Sequence, residues 1–329
     1  MYLTIASWNM AGASLLKTSI KKRAEKHQTY NKQLKNLIAK TEPDIILLQE
    51  IIRYGDKNGQ SQELFDIPSG YYYTASMAID TVNNSYPPKW NKIRREGGWP
   101  KNTYLGHGLG ILWKKNLAHS SLWNTEPSNQ CTGPKLETEA VRFETGLFTG
   151  NRDTEPRMAM VAHFHLAEHD FFIINVHLTT LKGEREGFPE KDQLGSSIRQ
   201  KQVDILLNGI ISRLNSDRQE RFARIGLKAK PGIWLLGGDL NATMDAPEIT
   251  KIQQLNFARL CSDAPTKRGK KGNKPTIKVD YFFAGPKYYA FNPVILQDSL
   301  NNNENSFLIC DGLKVSDHFP IVARFPIPN

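Results

Sequence analysis

Three cysteines, Cys131, Cys261 and Cys310, are too few and too scattered among 329 residues for a disulfide framework or a thiolate zinc site. A reducing compartment and no disulfide-linked partner are therefore expected. No stretch of about 18 apolar residues is present to span a bilayer, and the opening "MYLTIASWNM" lacks the basic region and apolar run of a secretory signal. The chain as given reads as soluble, intracellular and cytoplasmic, without stable membrane insertion. Acidic residues are in deficit: 33 Asp+Glu face 43 Lys+Arg, a formal charge of +10. Such an excess attracts polyanions, nucleic acid or an acidic membrane, although net charge also serves solubility.

What is present describes a packed globule. The apolar share is 39% and the charged share 23%, outside the range of disordered chains. The opening Leu3–Asn9 reads as a strand ending in polar residues. A basic segment from Lys17 to Lys40 follows, whose Tyr30, Leu34, Leu37 and Ile38 fall at i, i+4, i+7 and i+8 of a helix, with Pro43 beyond it. "DIILLQE", Asp44–Glu50, reads as a buried strand. Further strand-like runs are Gly108–Trp113, Met158–Phe164, Phe171–His177 and Ile233–Asp239, then "KVDYFFAG" and "FPIVARF". Between the third and fourth of these, Val203, Leu206, Leu207, Ile210, Ile211 and Leu214 form one helical apolar face. Strands and helices intermingle without repeat or linker, so one layered α/β domain over 1–329 is expected. Residues 54–104 mix glycine, proline, aromatics and basic side chains without a period. That insertion is either a surface loop packed on itself or a substrate-selecting segment whose aromatics stack on bases.

Polar and ionisable residues gather at the strand ends: Asn9, Glu50, His177, Asp239, Asn241, Asp280, Asp317 and His318. Singly, each has a plain reading: a turn cap, a satisfied buried histidine, a turn start. Together they ask for partners, because buried strands rarely leave such groups unpaired. In "GGDLNA", alternation along a strand places Asp239 and Asn241 on one face. The set suits metal-assisted phosphodiester hydrolysis. Hard magnesium takes oxygen ligands, with Glu50 the best candidate. A carboxylate such as Asp239 orients the water, while Asn241 and the histidines hold the phosphate oxygens. Asp280 suits the ring N–H of a histidine, fixing its tautomer and favouring its charged form.

The ordered series "SWNMAG", "IILLQE", "GHGLGIL", "INVHL", "GGDLNAT", "IKVDYFF" and "VSDHFPI" resembles the endonuclease/exonuclease/phosphatase family, that of DNase I and the abasic-site endonucleases. The resemblance implies a four-layer α/β sandwich, two packed mixed β-sheets flanked by helices, with dependence on Mg2+ or Mn2+. It implies Glu50 as principal metal ligand, Asn9 near metal and phosphate, and Asp317 assisting the metal. Asp239 becomes the water-orienting group or base, held with the phosphate by Asn241. His177 becomes a phosphate-binding or acid-side histidine, and His318 a phosphate contact paired with Asp280. Arg157 resembles an arginine that touches phosphate in nucleases of the family, with a structural ion pair the equal alternative, and Thr276 is a weaker match of that kind. Two features depart from the pattern. No tyrosine follows the "GLGIL" strand between Gly110 and Trp123, leaving the role absent or taken by Tyr104 or His107, and the arginine near Glu50 is displaced to Arg53.

The expected substrate is nucleic acid, DNA or RNA, cut by an endonuclease, because basic segments Lys17–Lys35 and Lys267–Lys274 flank the strand-end residues. An inositol phospholipid phosphatase is one rival reading. The segment "GDLNATMDAPE" lacks a tyrosine-arginine pair beside the asparagine, which counts against it. A catalytically inactive nucleic-acid-binding protein is the other, and the intact residue set counts against that.

Overall fold

The computed structural model describes residues 2–12, 15, 18–55, 61–80, 95–100, 103–117, 138–142, 157–166, 169–180, 193–224, 226, 232–261, 263–268, 275–285, 294–295, 309–310, 313–314 and 316–327. Its strands are β1 (Tyr2–Asn9), β2 (Ile45–Gly55), β3 (Ser61–Glu63), β4 (Tyr71–Asp80), β5 (Tyr104–Lys114), β6 (Thr138–Arg142), β7 (Met158–Leu166), β8 (His169–His177) and β9 (Ile233–Asp239). There follow β10 (Ala258–Arg259), β11 (Lys267–Arg268), β12 (Pro275–Ile277), β13 (Asp280–Gly285), β14 (Val294–Ile295), β15 (Ile309–Cys310), β16 (Leu313–Lys314) and β17 (Ile321–Pro326). The helices are α1 (Ile20–Thr41), α2 (Gln193–Asp204), α3 (Ser212–Arg224) and α4 (Pro247–Gln254).

Two mixed sheets result. One runs β14-β17-β1-β2-β5-β4, with β3 on the outer end of β2, and the other runs β10-β13-β9-β8-β7-β6. Within them β1 and β2 are parallel, as are β8 and β9. Alternation along the strands sorts their side chains into layers. Leu3, Ile5, Ile45 and Leu47 of the first sheet meet Phe171, Ile173, Leu235 and Phe282 of the second in a shared core. The opposite faces bury Ile46, Leu48 and Leu112 under Tyr30, Leu34 and Leu37 of α1. On the other side Ile174, Val176, Leu236 and Phe283 pack under Val203, Leu206, Ile249 and Ile252. The architecture is thus the expected helix–sheet–sheet–helix sandwich.

The apolar stripe of α1 predicted from its spacing is the face it buries. The helix ends where Glu42 turns left-handed, φ 44°, and its N–H bonds the Ile38 carbonyl at 2.8 Å. The stripe from Val203 to Leu214 departs from expectation: a π-helical segment, Ile205–Ile211, separates α2 from α3. Its wider turn keeps Leu206, Leu207, Ile210 and Ile211 all buried, which a regular 3.6-residue pitch would not require.

Because both parallel pairs point the same way, the ends of β1, β2, β8 and β9 and the start of antiparallel β13 come together. Asp280 lies directly opposite Asp239 in the register of β13 and β9. Among the described residues no helix is long and apolar enough to cross a membrane.

Candidate active site

Glu50 stands on a β-bulge. The register of β2 against β5 passes from Leu48 opposite Gly110 to Ile51 opposite Gly108, so Gln49 and Glu50 share one partner position. Glu50 takes φ 53°, and the kink turns its side chain to the sheet end, where it keeps 22% exposure. The turn after β1 locks the bulge. The Gly12 N–H donates to the Glu50 carbonyl at 3.0 Å, and a Cβ at Gly12 would stand 2.2 Å from that oxygen. The glycine of "SWNMAG" is therefore set by close approach. Beneath the bulge, the Asn175 amide of β8 donates to the carbonyls of Leu48 and Gly110, both at 2.9 Å, and accepts from Gln49 at 2.7 Å. The second sheet thus holds the carbonyls on either side of the irregularity.

Asp239 is the hub. Its Oδ2 accepts from the Asn9 amide at 2.9 Å and lies 3.5 Å from His177 Nε2 and 3.6 Å from His318 Nε2. Its Oδ1 accepts the Asn241 backbone N–H at 2.8 Å. Strand alternation does not pair these two residues, as the sequence suggested. β9 ends at Asp239, Asn241 turns left-handed at φ 48°, and the chain folds back to cap the carboxylate. Asn241 Nδ2 donates to the Leu178 carbonyl at 3.0 Å, while its Oδ1 is buried with no hydrogen-bond partner among the described residues. The preceding Gly238 has φ 148° and a Cβ there would meet the Val176 carbonyl at 2.0 Å, which accounts for glycine before the aspartate.

Asn9 caps the turn after β1 and links two carboxylates. Its Oδ1 caps the turn by accepting the Ala11 N–H at 2.9 Å, and its Nδ2 reaches Glu50 at 3.3 Å as well as Asp239.

The two histidines carry opposite proton states. Burial lowers the His177 pKa well below its ordinary 6.5, and the charges of Arg157, His107, His318 and Lys267 lower it further, so the ring is neutral. Arg157 Nη1 lies 2.9 and 3.0 Å from the two His177 nitrogens, and Nη2 donates to Thr180 Oγ1 at 2.9 Å. For His318 burial also works against the charge, but the Asp280 and Asp239 carboxylates overcome it and push the value up to about 9. The Asp280 contact is made at Nδ1, 3.0 Å from Oδ2. The two rings, both within 3.6 Å of Asp239 Oδ2, are thus shifted in opposite directions by their surroundings.

The remaining sequence candidates are placed as follows. Asp317, half-buried beside His318, has its backbone carbonyl bonded by the Arg268 N–H at 2.9 Å. Thr276 lies on β12, and its side chain is outside the described residues. Part of Lys267–Lys274 also lies outside them, as do 56–60, 81–94 and 101–102 of the 54–104 segment; its described part carries β3 and β4, strands where the sequence read as loop because aromatics, glycine and basic residues hide the alternation.

Residues that the motifs did not single out complete the site. Thr266 Oγ1 accepts the Val279 and Asp280 N–H groups at 3.2 and 3.1 Å, and its carbonyl accepts from Phe319 at 2.7 Å. Lys267, only 5% exposed, forms an isolated β-bridge with His318, and its charge depresses protonation of both histidines. Ser316 Oγ donates to the Asn9 carbonyl at 2.7 Å and accepts the His318 N–H at 3.0 Å. The signal in sequence was a buried cation and hydroxyls next to strand ends, invisible without the fold.

The donor chemistry suits a hard divalent cation. Glu50 and Asp239 supply carboxylate oxygens, bridged by the Asn9 amide, and the orphaned Asn241 Oδ1 is one further oxygen acceptor. Asp239, Asp280 and His318 also bring ligand atoms within 4.8 Å of one another. There, however, His318 Nδ1 is committed to Asp280 and the ring is charged, so the all-oxygen group is the better cation site.

Comparison with known proteins agrees with this geometry. The profile described as the Endonuclease/Exonuclease/phosphatase family matches residues 6–318. No curated protein sequence matches. Among solved structures, D. rerio TDP2 complexed with single strand DNA product is 15% identical, covering 99% of each chain, with TM-score 0.53. The mannosyl-6-phosphatase Bt3783 of Bacteroides thetaiotaomicron is 14% identical over 99% of this chain and 100% of its own, TM-score 0.55. The human Nocturnin catalytic domain with bound sulfate anion is 16% identical over 99% and 94%, TM-score 0.52. At these identities the likeness is one of fold.

Proposed function

Since the chain belongs to the endonuclease/exonuclease/phosphatase family, whose members are phosphoesterases, we propose that it is a Mg2+- or Mn2+-dependent phosphodiesterase that cuts nucleic acid as an endonuclease. The observation that carries this reading is the convergence on Asp239 Oδ2 of the Asn9 amide at 2.9 Å, His177 Nε2 at 3.5 Å and His318 Nε2 at 3.6 Å, with Glu50 beside them. Asp239 orients the attacking water and accepts its proton, held in place by the Asn9 amide and the Asn241 N–H. His318, kept protonated by Asp280, donates to a phosphate oxygen as negative charge grows there, and Arg157 and Lys267 add fixed positive charge. Asn241 and His177 complete the hold on the phosphate. Glu50, beside the Asn9 amide and assisted by Asp317, would hold the cation, which would supply Lewis-acid polarisation of the phosphate.

The polymer is supported by charge. The chain carries +10, and α1 exposes Lys22, Lys32, Lys35 and Lys40 along its length. A second reading, hydrolysis of a phosphomonoester, is favoured by one fold neighbour, the mannosyl-6-phosphatase. Labelled circular single- and double-stranded DNA and a structured RNA, incubated with Mg2+, Mn2+ or EDTA, separate the two. Metal-dependent opening of a circle is the expected result. Intact nucleic acid together with phosphate release from an inositol polyphosphate or a sugar phosphate would transfer the protein to the phosphatase reading with its catalytic groups unchanged.

A further inference from the structure

A cleft opens beside the catalytic end, between α1, the outer part of β2, β3 and the segment around Trp99. Its volume is about 610 Å3, and Arg23, His27, Gln28, Tyr54, Gln62 and Trp99 contribute to its lining. β2 connects it to the chemistry: Tyr54 lies four residues beyond Glu50, about 13 Å along an extended strand.

The wall of the cleft is a built platform. The Arg23 guanidinium lies 3.3 Å from the centroid of the Trp99 ring. Its Nε donates to the Thr18 carbonyl at 3.1 Å and its Nη2 to the Gly97 carbonyl, so its plane is held rather than left to rotate. Tyr54 meets Trp99 edge to face, centroids 5.3 Å apart, and fixes the indole. One face of the guanidinium is taken by the indole, and Arg23 and Trp99 both line the cavity.

The remaining groups define what fits there. Glu63 and Asp66 also line the cleft and oppose an anion, so the lining does not select a phosphate. Gln28 and Gln62 are exposed and each offers a donor and an acceptor. A flat, uncharged ring with donors and acceptors around its edge satisfies all three features. We propose that this cleft is a nucleobase subsite, which stacks a base of the polynucleotide on the Arg23–Trp99 platform and reads its edge with Gln28 and Gln62. It rests on the nuclease reading above and adds to it a place where the polymer is distinguished from a small phosphate ester. The base belongs to a nucleotide beyond the scissile phosphate, as the offset of Tyr54 from Glu50 requires.

The test is a set of oligonucleotides carrying a single abasic site at successive positions, cut by wild type and by Arg23→Ala. In wild type, one abasic position should lower kcat/KM by at least about fivefold, the lower end of what one stacked base contributes. In the variant, removing that base should make no further difference, because the platform is already gone. Thermal melting checks that Arg23→Ala is folded. If it is not, Gln28→Ala/Gln62→Ala, changed at two exposed positions, should retain the abasic penalty and lose preference among bases there. Equal rates at every abasic position, or the same penalty in Arg23→Ala as in wild type, would overturn the subsite and leave the nuclease reading intact. Cleavage of bis(4-nitrophenyl) phosphate without cleavage of any oligonucleotide would overturn both.

Discussion

The two ends of β8 carry similar chemistry arranged to opposite purposes. At its start Asp170 accepts from His163 Nε2 at 3.0 Å and from Arg218 Nε at 2.7 Å, all three residues being buried. At its end His177 joins Asp239, Glu50, Asp280 and His318. Both ends hold a carboxylate among cationic and imidazole groups. The start is closed: one acid bonded by two donors, anchoring α3 to the second sheet while His163 stacks on Phe172 at 4.8 Å. The far end is incomplete: several carboxylates converge, Glu50 keeps access to solvent, and Asn241 Oδ1 lacks a partner among the described residues. Buried ionisable groups therefore do not by themselves mark a site. Convergence of several ionisable groups at a solvent-accessible strand end, with an acceptor left over, does.

The largest expected effect tests the catalytic end alone. Asp239→Asn should lower kcat by about 10^2- to 10^4-fold, the range for a positioned general base, with nucleic-acid affinity nearly unchanged in a binding assay. Turnover at the wild-type rate would show that Asp239 is structural, like Asp170.

Next, Arg218→Ala should lose about 3–5 kcal/mol of stability in urea unfolding, because it leaves the buried Asp170 carboxylate short of its cation. Its kcat per folded molecule should match wild type. A large fall in kcat in the folded variant would join the two ends into one functional unit.

A smaller effect is expected at Lys267. Lys267→Met should raise KM about tenfold and Lys267→Arg should restore most of it, as for a charge that holds phosphate. Loss of stability without a change in KM would place Lys267 with the structural cations.

The most gradual effect is in pH. His318 has its pKa raised from 6.5 to about 9, so its contribution to stability is full below pH 6.5 and disappears as pH rises through about 9. His177 is held well below 6.5, so stability also falls as pH drops below 6.5, where the unfolded chain takes up a proton that the folded chain refuses. Unfolding free energies should peak between those limits. Asp280→Asn should flatten the alkaline side by removing the carboxylate that keeps His318 charged; an unchanged alkaline slope would locate the dependence elsewhere.

Much of this molecule was legible before folding. Apolar runs bounded by polar residues marked β1, β2, β8 and β9, and a 3.6-residue period marked the buried stripe of α1, because both signals are local to a few turns or a single strand. The polar residues closing those runs were visible for the same reason. The cluster around Asp170 was not: His163, Asp170 and Arg218 sit in ordinary strand and helix contexts, and only their meeting in space makes them a unit. The π-helical segment also escaped, since one extra residue per turn leaves the apolar pattern nearly intact.

By itself, then, the sequence determined the alternation of strands and helices, the layered sandwich that follows from it, the excess of basic charge, and which strands end in carboxylate, amide or imidazole. The tertiary structure decided what those groups are. It turned Glu50 outward on a bulge held from the other sheet, folded Asn241 back onto Asp239, set Lys267 against His318, and gave two histidines opposite proton states. Asn9 and Asp239 are 230 residues apart and 2.9 Å distant. Electrostatic environment depends on distance in space, and separation along the chain carries almost no information about that.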